Sequence, residues 1–349
     1  MPHRALYAPS DASVATGTVQ FREGYRSLRA RRSLALLALA AGVAACGGAS
    51  GVGPDDDDDG GNGGNGGTPG AVPVIVFDMV VDGNRDIYSV KADGSDLTRL
   101  TTSPGDDRHP TAAGTRVVFT SNRNSGAAEL YTVSLATKNE ARLTESPNRQ
   151  ELDPAISPDG KRLAFSAAGG AVVGGGATKI WVGDNEAFSA AVAAPAFGYE
   201  GAVESSASWS PDGTRLVFAS TQSGTADIYI LDLGQSGAPK VTPFQGTTTT
   251  EADFEPAWSP DGKSIAFTSN RAGGDAEIYV AAVAGGEPVR LTTRAGTDAS
   301  PTWLSDGRIA YVAWDGDSSR LRIVDPKNPA QPVDVNIGAG SPQRPAGVR

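Results

Sequence analysis

Cysteine is nearly missing from this chain. Cys46 stands alone among 349 residues, so no disulfide can form within one chain and no cysteine-built metal site is available. Histidine is almost as scarce: His3 and His109 are the only two, too few for a metal centre built from several imidazoles. No apolar run approaches the ~20 residues that a bilayer-spanning helix needs; the Leu34 to Val43 run is far shorter. Basic charge is deficient as well, with 30 Lys and Arg against 40 Asp and Glu, a net charge of −10. Residues 1–45 hold six Arg against Asp11 and Glu23, a local +4, which leaves the chain from Cys46 onward near −14. That balance argues against nucleic acid or an anionic lipid surface as the partner. It suits a basic protein patch or a cation, and it also suits plain solubility.

What is present begins with an export pattern. Arg26, Arg29, Arg31 and Arg32 precede the short apolar run, and small residues follow it, the order of a secretory leader. Val43-Ala44-Ala45-Cys46 resembles a bacterial lipobox, which implies lipid on Cys46 and cleavage before it. Residues 1–45 are therefore read as a lipoprotein-type signal peptide. Residues 46–71, with the Asp55 to Asp59 run among glycines, carry too little apolar surface to offset ordering entropy and read as a disordered tether. Gly47 after the cysteine favours the outer membrane, with the remainder of the chain facing the periplasm.

From residue 72 the chain repeats itself. Pro110, Pro154, Ala207, Pro256, Pro301 and Pro345 fall in one register, 44, 53, 49, 45 and 44 residues apart. A second register ends in an aromatic: Phe77, Phe119, Phe165, Phe218, Phe267 and Tyr311. A third holds Tyr88, Tyr131, Trp181, Tyr229 and Tyr279, with Arg322 in the last copy. A fourth strand shows in TRLTT (98–102), ARLTE (141–145), PKVTP (239–243) and VRLTT (289–293). Between the first two registers sits SPDG, in which Pro presets φ, Asp tolerates the turn and Gly supplies positive φ. Each unit is thus a four-stranded antiparallel meander with both faces apolar, and such units cover one another only when arranged radially. The expectation is an all-β fold, a six-bladed propeller over residues 72–349 with about 46 residues per blade. Blade one lacks an innermost strand, and Arg344-Pro345-Ala346 matches the start of one, so the C-terminal segment should close the ring in blade one.

The pattern PxWSPDGxxIAFxSxRxGxxEIYV, carried most fully by residues 256–280, resembles TolB-type, WD-like propeller repeats over about 80% of the chain. The resemblance implies the fold and leaves activity open, since such repeats occur in envelope binding proteins, peptidases and lyases alike. TolB proteins carry an α/β domain ahead of the propeller, where this sequence has the tether.

Three residues ahead of the proline register stand Asp107, Glu151, Glu204, Asp253 and Asp298, acidic in five blades of six, with Pro342 in the sixth. Preceding the innermost strands, they should gather at one mouth of the central channel. Two readings stand: a negative funnel that takes a hard cation or a basic side chain, or local capping of turn amides within each blade. One residue ahead stand His109, Asp153, Glu255 and Arg344, with His109 a candidate base or ligand. Asp82-Gly83-Asn84-Arg85-Asp86 alternates oxygen donors as a calcium loop does, but Ile87 stands where that loop needs glycine, so it reads as a turn. The glycine-rich loop 167–179 of blade three lacks the Lys-Ser/Thr ending of a phosphate loop.

The functional expectation is a non-enzymatic, lipid-anchored envelope protein, a monomeric propeller that binds a protein partner through one face. It needs no cofactor, and no nucleic acid is involved. The alternatives are a cation or small-ligand sensor in the acidic mouth, with calcium as the cation, and a carboxylate-based hydrolase or lyase. No G-x-S-x-G elbow with a distal His is present.

Overall fold

The computed structural model describes residues 72–349, apart from 125–126, 147–148, 168–176, 185–193, 198–200, 235–238 and 248–249. The leader, Cys46, the tether and most of the 167–179 loop lie outside the described residues. The described chain forms six four-stranded antiparallel sheets and no helix. Five sheets run in chain order from an innermost to an outermost strand. Their innermost strands are Asp107–Ala113, Glu151–Ile156, Glu204–Trp209, Asp253–Trp258 and Asp298–Trp303. The sixth sheet joins the two ends: Ser341–Gly347 pairs antiparallel with Val74–Val81, with Val76 opposite Ala346 and Asp78 opposite Gln343. This closes the ring and leaves no open inner edge. Gly347 is required at the seam, because a Cβ there would collide with the Trp303 carbonyl oxygen of blade six.

The hairpins form for the reason the turn sequence gives. In blade three the Gly160 amide donates to the Ser157 carbonyl at 2.8 Å, and Gly160 takes a φ of +70°. Asp159 accepts from the Ser157 hydroxyl at 2.5 Å and from the Lys161 amide at 3.0 Å. These donors hold the Asp159 carboxyl below its ordinary value. The same arrangement recurs at Ser210-Asp212 and Ser259-Asp261. Asp82 and Gly83 both take positive φ, so that segment is a tight hairpin turn between Val74–Val81 and Asn84–Lys91.

The aromatic registers meet across strands two and three. Phe77 lies opposite Tyr88, Phe119 opposite Tyr131 and Phe267 opposite Tyr279, each pair stacked at 6.0 Å. Phe165 stacks on Trp181 at 6.4 Å, and Tyr311 faces Arg322. The Phe side chains are fully buried, each contributing about 1.5–3 kcal/mol of burial. Apolar packing sits between blades. Val76, Ile87 and Leu100 of blade one meet Val117, Phe119 and Tyr131 of blade two, and Phe77 and Val90 of blade one meet Ala310 and Ile323 of blade six. Trp209 and Trp303 tie neighbours together by donating to the carbonyls of Ala155 and Ala257 at 2.9 and 3.1 Å.

Two outer strands differ from the sequence pattern. In blade four the strand Lys240–Pro243 exists, but Pro243 lies opposite Tyr229, the place that Arg99, Arg142 and Arg290 hold against their tyrosines. Matching PKVTP to TRLTT would have put Lys240 there. Phe244, buried at 2% exposure, takes the place of Leu100, and its size sets the shifted register. In blade three the outermost strand is Ala194–Phe197, which carries no such motif.

Candidate functional site at the channel mouth

Each innermost strand carries the same irregularity. His109 and Pro110 occupy the span opposite Phe119 alone, and the register shifts at the equivalent point in all six blades. Two residues facing one is a β-bulge, which re-aims side chains and bends the strand. Proline suits its second position, where no ladder amide is needed. The first position is held by His109, Asp153, Ser206, Glu255, Ser300 and Arg344, all with φ between 43° and 55°. These six account for six of the nine described non-glycine residues at positive φ. Left-handed backbone in such residues costs free energy and collects at sites of function.

The six residues ring the mouth of a central cavity of roughly 140 Å³, with the proline register beneath them. That volume is close to one that admits a benzene-sized molecule, so the cavity takes the end of a single side chain and no more. Around the ring the groups bond to one another. His109 Nδ1 lies 2.7 Å from Asp153 Oδ1. Arg344 Nη1 lies 3.2 Å from Glu255 Oε1. Glu255 accepts from the Ser300 amide at 2.7 Å, the Ser300 hydroxyl at 3.0 Å and the Thr268 hydroxyl at 3.0 Å. The His109 amide donates to Asp78 Oδ1 at 3.2 Å. Burial acts to raise the Asp153 carboxyl, but the His109 imidazole, Arg344 and the Ser206 amide outweigh it and hold the group well below the carboxylate range.

The expected negative funnel is not there. Asp107, Glu151, Glu204, Asp253 and Asp298 are each fully buried, and none lines the cavity. Their side chains turn into the blades. Asp107 meets Arg123 at 2.7 Å, Glu151 meets Arg149 at 2.7 Å, Asp253 meets Arg271 at 2.7 Å and Asp298 meets Arg294 at 2.7 Å. Glu204 accepts the Ile180 amide at 3.1 Å. Three of the arginines lie over their blade's aromatic pair: Arg123 over Phe119 and Tyr131, Arg149 over Phe165 and Trp181, and Arg271 over Phe267 and Tyr279. Burial pushes the Asp107, Asp253 and Asp298 carboxyls up, against the pull of those guanidiniums. The calcium reading rested on convergence of these carboxylates, and they do not converge. Among the described residues no group of three or more His, Cys, Asp or Glu is placed to hold a metal ion.

Sequence reasoning missed Arg349. Its guanidinium donates to the Trp209 and Trp258 carbonyls at 3.0 and 2.8 Å, and its own main-chain carboxyl oxygen accepts from the Gly114 amide at 2.8 Å. Blades four and five lie across the axis from blade two, so this side chain crosses the channel and floors the cavity. No repeat register marks it.

A model of the TolB beta propeller domain matches residues 175–333. The Tol-Pal system protein TolB of Bordetella pertussis is 39% identical over 111 residues, 32% of this chain and 24% of that protein. A protein TolB homolog of Chlorobium luteolum is 30% identical over 157 residues, 35% of each chain. The matched stretch thus spans about a quarter to a third of the length of these relatives. TolB from Acinetobacter baumannii superposes with a TM-score of 0.66 at 18% identity, over 79% of this chain and 66% of that one. Hydrazine synthase of Kuenenia stuttgartiensis superposes at 0.63 with 12% identity, over 80% and 47%. At such identities the likeness is one of fold, and the fold is shared with an enzyme.

Proposed function

The chain is a TolB-type β-propeller, and from that premise we propose that it is a non-enzymatic binding module of the cell envelope. A protein partner docks on the channel mouth and inserts a side chain into the cavity. One observation carries this reading: six residues of five types, all in strained left-handed backbone, encircle one small cavity on an otherwise repetitive scaffold. Binding fits better than catalysis. The His109 ring is engaged by Asp153, and among the described residues no hydroxyl hydrogen-bonds to its other nitrogen. The Tol-Pal name of the Bordetella relative makes Tol-Pal proteins of the same organism the first partners to test. The lipobox-like Val43 to Cys46 pattern supports a lipid anchor and export, with the propeller facing the periplasm. Cys46→Ser should then move the protein from the membrane to the soluble fraction.

The test is a titration of the lipid-free chain with those envelope proteins. Ser206→Gln, which crowds the mouth, and His109→Ala, which empties part of it, should each weaken binding at least tenfold. Leu97→Asp, on the outer rim where Leu97 is 41% exposed, should leave binding unchanged. A partner lost to the rim variant and kept by the mouth variants would place the docking face elsewhere. Absence of any envelope partner would end the protein-binding reading.

A further inference from the structure

The channel's charges are unevenly matched. At the mouth His109 faces Asp153 and Arg344 faces Glu255, so each cationic or basic group there has a carboxylate beside it. At the floor Arg349 has none: its guanidinium is held by two backbone carbonyls, and among the described residues no side-chain carboxylate is paired with it. Arg349 is half-buried at the channel floor. That desolvation lowers it to about 10, which leaves it charged at neutral pH. Carbonyl dipoles solvate a guanidinium but do not neutralise it, and a cation in a low-dielectric pocket favours an anion that can reach it. The reach is short. Mouth and floor are three residues apart on each innermost strand, about 10 Å at ~3.3 Å per residue.

We propose that the channel is a carboxylate pocket, in which an Asp or Glu side chain, or a small free carboxylate, passes the six mouth residues and pairs with the Arg349 guanidinium. Arg349 has five N–H donors in a planar fork, and two are engaged by Trp209 and Trp258, so donors remain for a carboxylate oxygen. The cavity of roughly 140 Å³ accepts a group of acetate or glutamate-tip size and excludes larger anions. The proline register around its waist offers apolar wall to the methylenes of such a side chain. The mouth carboxylates do not repel the entrant strongly, because His109, Arg344 and Ser300 already answer them. The chain as a whole is acidic, whereas in this pocket Arg344 and Arg349 match Asp153 and Glu255 in number. In its side-chain form the inference rests on the partner reading above; in its free-carboxylate form it does not.

The test follows tryptophan fluorescence and melting temperature of the lipid-free chain. Three probes are titrated at constant ionic strength: sodium acetate against matched chloride, N-acetylglutamate amide, and N-acetylglutamine amide. Acetate and the glutamate probe should give saturable changes, with the glutamine probe at least tenfold weaker. Arg349→Met should weaken the glutamate probe at least tenfold, and Arg349→Lys should keep part of the affinity. Saturation with acetate alone assigns the pocket to a free acid, and saturation with both assigns it to a side chain as well. Equal binding of the glutamate and glutamine probes, which needs no variant to fold, overturns the proposal, as does wild-type affinity in Arg349→Met or no saturation at all. Binding of carboxylates without any protein partner would count against the partner reading alone. A protein partner without carboxylate binding would count against this inference alone.

Discussion

Two polar positions, two residues apart on the same innermost strand, are put to opposite uses. The outer of the two is an acid in five blades of six, Asp107, Glu151, Glu204, Asp253 or Asp298, each buried inside its blade, with Pro342 in blade one. The inner is His109, Asp153, Ser206, Glu255, Ser300 or Arg344, five residue types over six blades, and turned to the channel. Blades are equivalent, so a residue that serves the blade can recur in each. The axis occurs once, so a site on it needs residues that differ around the ring. Recurrence across blades therefore marks scaffold, and variation at a fixed structural position marks the site.

Blade five puts this contrast on one strand. Asp253→Ala strands the Arg271 guanidinium among Phe267, Tyr279 and buried Ser269. Removing one partner of a buried ion pair costs about 3–5 kcal/mol. Glu255→Ala, two residues on, loses the hydrogen bonds from Ser300 and Thr268 at a water-accessible mouth and should cost about 1–3 kcal/mol. Urea midpoints for the two variants measure the gap. Equal losses would collapse the distinction between scaffold and site.

The same strand explains what could be read from the sequence. Alternation and turn chemistry gave the six sheets, the Phe and Tyr pairing and the closure by Arg344-Pro345-Ala346, because each depends on local spacing. The acids misled because they read as preceding the innermost strands, at the channel mouth, whereas each is the first residue of its strand and turns its carboxyl into the blade. Alternation does not correct this, since it puts residues two apart on one face. Had the strand been regular, Asp253 and Glu255 would both face the channel. The bulge at Glu255 and Pro256 inserts an extra residue and breaks that parity. The left-handed backbone that makes the bulge has no sequence signal in His, Glu or Arg, unlike glycine. The arginine partners were equally hidden. Arg123 and Arg271 follow the second strand, whereas Arg149 and Arg294 precede the acid they meet. The blade-four outer strand slid because Phe244, not Val241, fills the buried place.

Titration gives a second way to separate the two positions. The Asp153 carboxyl is held below its ordinary value, so the stability it contributes is present above the unfolded value near 4 and is lost as pH falls further. The Asp253 carboxyl is raised, so its contribution is present below the unfolded value and is lost as pH rises through the folded one. The stability difference between wild type and Asp153→Asn should shrink on acidification from about pH 5 to about pH 3. The difference between wild type and Asp253→Asn should shift in the opposite direction over the acid range. Chemical denaturation at several pH values reads both slopes, and parallel slopes would remove the electrostatic part of the contrast.

The smallest effect isolates the backbone. Ser206 sits in the ring at a φ of +55°, and its amide is the donor that Asp153 uses. Ser206→Gly keeps that amide and relieves the left-handed strain. It also frees the unfolded chain, at a cost of about 0.5–1 kcal/mol. The two terms oppose, so the net change should stay within about 1 kcal/mol. Ser206→Val, β-branched in the same conformation, should lose about 1–3 kcal/mol with no ion pair touched. A Gly variant as damaging as the Val variant would mean that the Ser206 side chain holds the ring together. The strain at the mouth would then be incidental, and the difference between the two positions would reduce to which side chains are buried.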